Sequence, residues 1–271
     1  MAWDPKTKKA LRTRFTIGPL LLLGIGLIYY ADLHWGGRGR LSAALLGLLG
    51  MIGLWEFVAM RKEVGKPVAS APLMLAGLLT FAQALDLQTI AFVLLLGSML
   101  WGLSPKRHES AVDATAAALL GYVWIVAPMY LGQRLALGAL PSLLYVVLVS
   151  KGGDIGAYLV GSTIGKHKLI PHVSPGKTIE GFVGSVLTSA LLAWLLAAPM
   201  GVTDPLWALL LLGLALNLAT QLGDLSESLL KRSCGVKDSS TLLPEHGGVL
   251  DLVDSLLFAI PVYLLMQSLL S

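Results

Sequence analysis

Charge is the scarcest commodity in this sequence. Of its 271 residues only 13% are charged and 55% are hydrophobic, and the mean hydropathy is +0.75. A soluble globular domain carries about 25% charged residues. That class is therefore excluded, and a lipid bilayer is the expected solvent. Cysteine is almost missing: Cys234 is the sole copy, which rules out an intramolecular disulfide and reads as a small loop residue rather than a reactive thiol. The net charge is only +4, with nothing that points to a nucleic-acid partner. No small-residue cleavage site ends the first apolar run, so the basic segment MAWDPKTKKALRTRF reads as a cytoplasmic anchor rather than a secretory signal.

What the chain has instead is a series of apolar runs close to the roughly 20 residues a helix needs to cross a bilayer. They fall at 15–31, 41–60, 67–84, 88–103, 112–131, 139–160, 179–199, 205–223 and 249–270. The expected fold is all-α, a polytopic integral membrane protein with about nine transmembrane helices. The limits of the third to fifth runs are blurred by Pro67, Pro72, Gln83, Asp86 and Pro128. With the N-terminus inside, the lysines and arginines concentrate on one side and the outer loops hold only Arg38, Arg40 and Arg134, as the positive-inside rule requires. The chain divides into 1–138, with about five spans, and 139–271, with about four spans and two charged cytoplasmic loops, 161–178 and 224–248. Recurrent glycines in the spans are a packing signal. Glu56 and Asn217 read as polar contacts that hold the helix bundle together rather than as chemistry.

Chemistry is expected where charge, glycine and proline gather. In Gly223–Ser255 the acids come in pairs three apart, Asp224 with Glu227 and Asp251 with Asp254, so each pair shares one helix face. Between them lie Lys231, Arg232, Lys237 and Asp238. Carboxylates beside ammonium and guanidinium groups suit a hard divalent cation and a polyphosphate. His246, in a turn before the last span, offers either a hydrogen bond to phosphate or a turn contact. A second cluster starts at Lys151 and Asp154 inside an apolar span, where burial is costly unless they pair or bind something. It continues through Ser174-Pro175-Gly176-Lys177-Thr178 and Glu180. This piece lacks P-loop spacing, but Thr178 can open the next helix and leave Lys177 near its N-terminus, where an anion is favoured.

The run through Ser228, Lys231, Arg232, Lys237, Asp238, Ser240, Pro244, His246, Gly247, Gly248, Asp251 and Asp254 resembles the signature of the phosphatidate cytidylyltransferases, or CDP-diacylglycerol synthases. The D-x-G-A-Y motif at Asp154 and the S-P-x-K-T-x-E-G motif at Ser174 also resemble that family. The likeness covers about Ser150 to Ser255, with one departure, Leu252, where the family carries an arginine. The resemblance implies that CTP and phosphatidate give CDP-diacylglycerol and pyrophosphate at the cytoplasmic face of a bacterial inner membrane. It implies magnesium held by Asp224 and Asp251, with room for a second cation, and Asp254, Lys231, Arg232, Lys237 and Asp238 as catalytic companions. Asp154, Ser174, Lys177, Thr178, Glu180 and His246 are the expected substrate-binding residues. The expected partners are CTP, a lipid phosphate, the bilayer and, as one option, a second copy of the chain. Two rivals stand beside this reading. One is a related CTP-dependent enzyme acting on another lipid phosphate or on a polyprenol. The other is a transporter, against which the absence of an inverted repeat counts. The motif of the CDP-alcohol phosphotransferases is missing.

Overall fold

The computed structural model describes residues 23–105, 107–243 and 247–270. The start of the first expected span and His246 lie outside the described residues.

Helix α1 (residues 23–34) carries in its last turn Asp32, whose carboxylate accepts from Leu41 N (3.0 Å), Ser42 N (2.7 Å) and the Ser42 hydroxyl (2.7 Å). It thereby caps the first turn of α2 (Arg40–Glu63) from outside that helix. At its other end α2 stops on Gly65, which takes φ +68°, while Gly65 N and Lys66 N bond back to Lys62 O and Arg61 O. Only glycine adopts that left-handed turn without penalty. Two shorter helices follow, α3 (Ser70–Phe81) and α4 (Leu87–Gly102), the second begun by Asp86, whose side chain accepts from Thr89 N. At 12 and 16 residues they fall short of a full crossing. The third expected run is cut at both ends, its start following Pro67, while the fourth keeps its expected length; both are short apolar helices.

Helices α5 (Ala111–Gly121) and α6 (Ala127–Gly138) form one long span through a π-helical turn at Tyr122–Val126. The widened turn sits where Pro128 would otherwise have interrupted an α-helix, so proline does not end this run. Then come α7 (Leu140–Ile164), α8 (Ile179–Ala197), α9 (Leu206–Ser233), the short α10 (Val249–Val253) and α11 (Leu256–Leu270). Six helical segments among the described residues are long and apolar enough to cross a bilayer. The protein is a multi-pass helical membrane protein.

Between α7 and α8 lies a hairpin that the all-helical reading omitted: β1 (Lys168–Ile170) pairs antiparallel with β2 (Ser174–Thr178). Helix α7 packs along α8, α8 along α9 and α9 along α11. Small residues set these distances. A Cβ on Gly213 would stand 2.8 Å from Ala190 Cα, so α8 and α9 touch backbone to backbone. Asn217 bridges the same pair, accepting from the Ser185 hydroxyl and donating to Ser189 Oγ, both at 3.2 Å, in keeping with its reading as a bundle contact. One core runs from Leu54, Phe57 and Ile125 through Tyr145 and Leu216 to Leu250 and Ile260, so both halves of the chain share it.

Candidate functional site

Helix α9 carries the site along one stripe. Asp224, Glu227 and Lys231 repeat at three and four residues, and this stripe faces the antiparallel α10–α11 segment. The acids on the facing segment therefore meet α9 in reverse order. Asp254 lies against Asp224, carboxyl to carboxyl, while Asp251 meets Lys231 further along. This splits the expected residues into two groups.

The first group surrounds a pocket of about 470 Å³ between α7, the hairpin, α8 and α9. Asp154, Ser174, Lys177, Thr178 and Asp224 all line it, together with Gln221. Lys177 Nζ lies 2.5 Å from Asp224 Oδ2 and donates to Gln221 Oε1 at 2.9 Å. Thr178 caps α8, its Oγ1 accepting from Gly181 N at 3.1 Å. The hydroxyl thus fixes the helix start and sets Lys177 one residue before it. Lys151, on α7, stands 3.7 Å from Asp154 and 3.9 Å from Asp254 and donates to the Ser255 hydroxyl at 2.7 Å. One cation therefore spans two acids across two helices. Glu180 is turned away: its carboxylate accepts from the backbone N–H groups of Lys166 and His167 and meets His167 Nδ1 at 2.6 Å. It holds the start of the hairpin and does not line the pocket.

The second group lies beside the loop before α10. Lys231 pairs with Glu227 at 2.5 Å and with Asp251. Asp251 also accepts from Gly248 N (2.8 Å), Ser239 N (2.8 Å) and the Ser239 hydroxyl (2.6 Å), so it ties the loop to its own helix start. The cation against Asp251 is thus Lys231, and Leu252 beside it is half-buried. Arg232, in the last turn of α9, and Lys237 and Asp238 on the loop after it are exposed outside the pocket, Arg232 donating to Val236 O at 3.2 Å. Cys234 is buried, 1% exposed.

One residue read from the sequence only as a bundle contact also ties the site loop to the core. Glu56 of α2 is wholly buried, with no cation paired to it among the described residues. Its Oε1 accepts from Val249 N (2.9 Å) and the Ser240 hydroxyl (2.6 Å), and its Oε2 from Leu250 N (2.7 Å), with Ser239 Oγ at 3.2 Å. The carboxylate is held by the free N–H groups at the start of the last span, where the helix dipole favours negative charge. A lone acid near the charged end of an apolar helix was the only signal available in sequence.

Whether these residues suit a divalent cation can be judged from the Asp224–Asp254 contact. Two carboxylates side by side repel unless a proton or cation lies between them. Among the described residues no three His, Cys, Asp or Glu side chains gather as a complete ligand set. A pair of carboxylates is nonetheless the donor set magnesium takes when water and substrate phosphate supply the rest. The arrangement fits such an ion at Asp224 and Asp254, whereas Asp251 is engaged with Lys231 and the loop.

The closeness of α9 and α11 here rests on Gly223. A Cβ at that position would lie 2.5 Å from Asp254 O. Gly223→Ala is expected to push the two acids apart, costing about 1–3 kcal/mol of stability and lowering turnover at least tenfold. Melting temperature and initial rate in detergent check both, and wild-type values would show that the contact tolerates expansion.

A bundle of membrane-length helices around a pocket lined by Lys177, Asp154 and Asp224 defines a multi-pass membrane protein with a charged internal site. Comparison makes this specific: a profile described as the cytidylyltransferase family matches residues 12–270, and the chain belongs to that family. It is similar to the phosphatidate cytidylyltransferase of Staphylococcus saprophyticus, 39% identical over 181 residues, covering 66% of this chain and 67% of the relative. Likewise it is 41% identical over 158 residues to the enzyme of that name from Staphylococcus epidermidis, 58% and 60% of the two chains. With that of Staphylococcus aureus it shares 47% over 128 residues, 46% and 49%. The chain spans about half to two thirds of the length of these curated relatives.

Proposed function

We propose that the protein is a CTP:phosphatidate cytidylyltransferase. The observation that carries this reading is the pocket in which Lys177, Asp224 and Asp154 converge within a membrane bundle, in a chain of the cytidylyltransferase family. A phosphate oxygen of phosphatidate forms the new bond to the α-phosphorus of CTP. The bond from that phosphorus to the β-phosphate bridge breaks, and pyrophosphate leaves with its electron pair. No covalent enzyme intermediate is needed, because the lipid phosphate is already a nucleophile.

The residues divide the work by charge. Lys177, held 2.5 Å from Asp224, is poised to bind phosphate once substrate enters, aided by the adjacent start of α8. Lys151 balances Asp154 and Asp254 and keeps the two helices in register. Asp224 and Asp254 would hold magnesium, which supplies charge neutralisation between two polyanions. Lys231 and Asp251 fix the loop rather than ligate, and exposed Arg232 and Lys237 offer first contacts for nucleotide phosphates.

Purified protein given labelled CTP, magnesium and a panel of lipid phosphates should consume CTP with phosphatidate. Consumption with a polyprenol or another lipid phosphate instead would move the acceptor.

The excess of basic residues on one side supports a pocket at the cytoplasmic face of a bacterial cell membrane. Cys234 is too buried to report on it. A cysteine at exposed Leu242, 52% accessible, should react with an impermeant thiol reagent only in inverted or permeabilised vesicles. Reaction in sealed right-side-out vesicles would reverse the orientation.

A further inference from the structure

The basic segments around Arg61–Lys66 and Arg107 enter the reading above only through orientation, yet they build a cavity of their own. A cleft of about 350 Å³ is lined by Lys62, Lys66, Arg107, Trp101 and Ser70. It is formed where the α2–α3 turn meets the end of α4. Three features make it a preformed anion site rather than a scatter of surface charge. The left-handed Gly65 turn folds Lys66 back beside the last turn of α2, which carries Lys62. Lys66 is anchored, its Nζ donating to Ser233 O at 2.5 Å, which also sets the cleft at the same end of the bundle as Lys231. Arg107 lies over the Trp101 ring at 4.4 Å, a cation–π contact that holds the guanidinium at the rim. Among the described residues no carboxylate lines the cleft or forms an ion pair with these three cations.

The cleft is not closed on its apolar side. A second groove of about 280 Å³, lined by Trp55, Val58, Ala59, Ala71 and Met74, shares Lys62 and Ser70 with it. The two together form one amphipathic channel, cationic at the end of the bundle and aliphatic along the faces of α2 and α3. A soluble anion would satisfy only the first part, and a neutral lipid only the second. Concave basic sites between helices at the membrane surface attract anionic headgroups, and tryptophans such as Trp55 and Trp101 favour that interface.

We infer that this channel binds one acidic phospholipid, its phosphate among Lys62, Lys66 and Arg107 and an acyl chain along Trp55, Val58 and Met74. The lipid is resident rather than reacting, because the channel shares no lining residue with the pocket that holds Lys177 and Asp224. The inference rests on the membrane location of the chain and not on the identity of its acceptor.

The test uses the full chain in detergent with phosphatidylglycerol and phosphatidylcholine of identical acyl chains in equal amounts, and native mass spectrometry counts each lipid retained. One phosphatidylglycerol per chain is expected, preferred at least about fivefold. The double variant Lys62→Gln, Arg107→Gln should lower that preference about tenfold or to parity. Ala71→Phe fills the aliphatic groove without altering charge and should reduce phosphatidylglycerol retention while leaving CTP turnover at the wild-type rate. Equal retention of the two lipids by the wild type would overturn the inference, as would an undiminished preference in both variants. Displacement of the lipid by excess inorganic phosphate or CTP would assign the cleft to a soluble anion and overturn it equally. The wild-type preference is decisive even if a variant fails to fold.

Discussion

Asp224→Asn should leave a protein that inserts and purifies normally but turns over CTP at least about 100-fold more slowly, a loss of about 2.7 kcal/mol in transition-state stabilisation. The substitution keeps the size of the side chain, so packing is preserved. It removes the charge that holds Lys177 at 2.5 Å and one of the two carboxylates in contact at the α9–α11 crossing. An amide is a poor substitute ligand for a hard cation. Asp254→Asn should behave alike, because Asp254 stands opposite Asp224. Asp251→Asn should differ: it breaks the contacts with Lys231 and Ser239, so its activity loss should come with a loss of thermal stability. Initial rates and melting temperatures of the three variants check this. Wild-type turnover in Asp224→Asn would remove the residue from the site.

The second large effect is expected far from the pocket in sequence. Glu56→Ala would orphan the N–H groups of Val249 and Leu250 and release two serine hydroxyls. A buried donor without a partner costs about 1–3 kcal/mol, and hydroxyls can turn elsewhere, so the total is about 3–5 kcal/mol. The melting temperature in detergent should fall by on the order of 10 °C. Glu56→Gln, which keeps one acceptor oxygen, should fall between. An unchanged melting temperature in Glu56→Ala would mean that the loop before α10 is held by Asp251 alone.

These two cases mark what a single sequence discloses. The spans were legible because lipid demands long apolar runs, and the acid faces of α9 and α10 were legible because helical spacing is local. The Thr178 cap was legible for the same reason. Which acid stands opposite Asp224 was not. Spacing gives a face, but the register between antiparallel helices is set by the loop between Cys234 and Gly248, and that register brings Asp254 rather than Asp251 to Asp224. Glu56 was read as a bundle contact because its partners lie some 190 residues away in the chain. The hairpin at Lys168–Thr178 was missed because strands of three and five residues are too short to show alternation. Helix α3 was read too long, as 67–84 rather than Ser70–Phe81, because apolar composition continued past both of its ends, whereas the limits of α4 were read to within one residue.

The central claim is that the lipid receives the cytidylyl group and not the terminal phosphate of CTP. Parallel reactions of the purified protein with phosphatidate and with CTP radiolabelled at either the α- or the γ-phosphorus separate the two outcomes. Label from the α position alone should enter the organic-solvent extract, with pyrophosphate released in equal amount. Label from the γ position in the lipid, or none from either, would contradict the account.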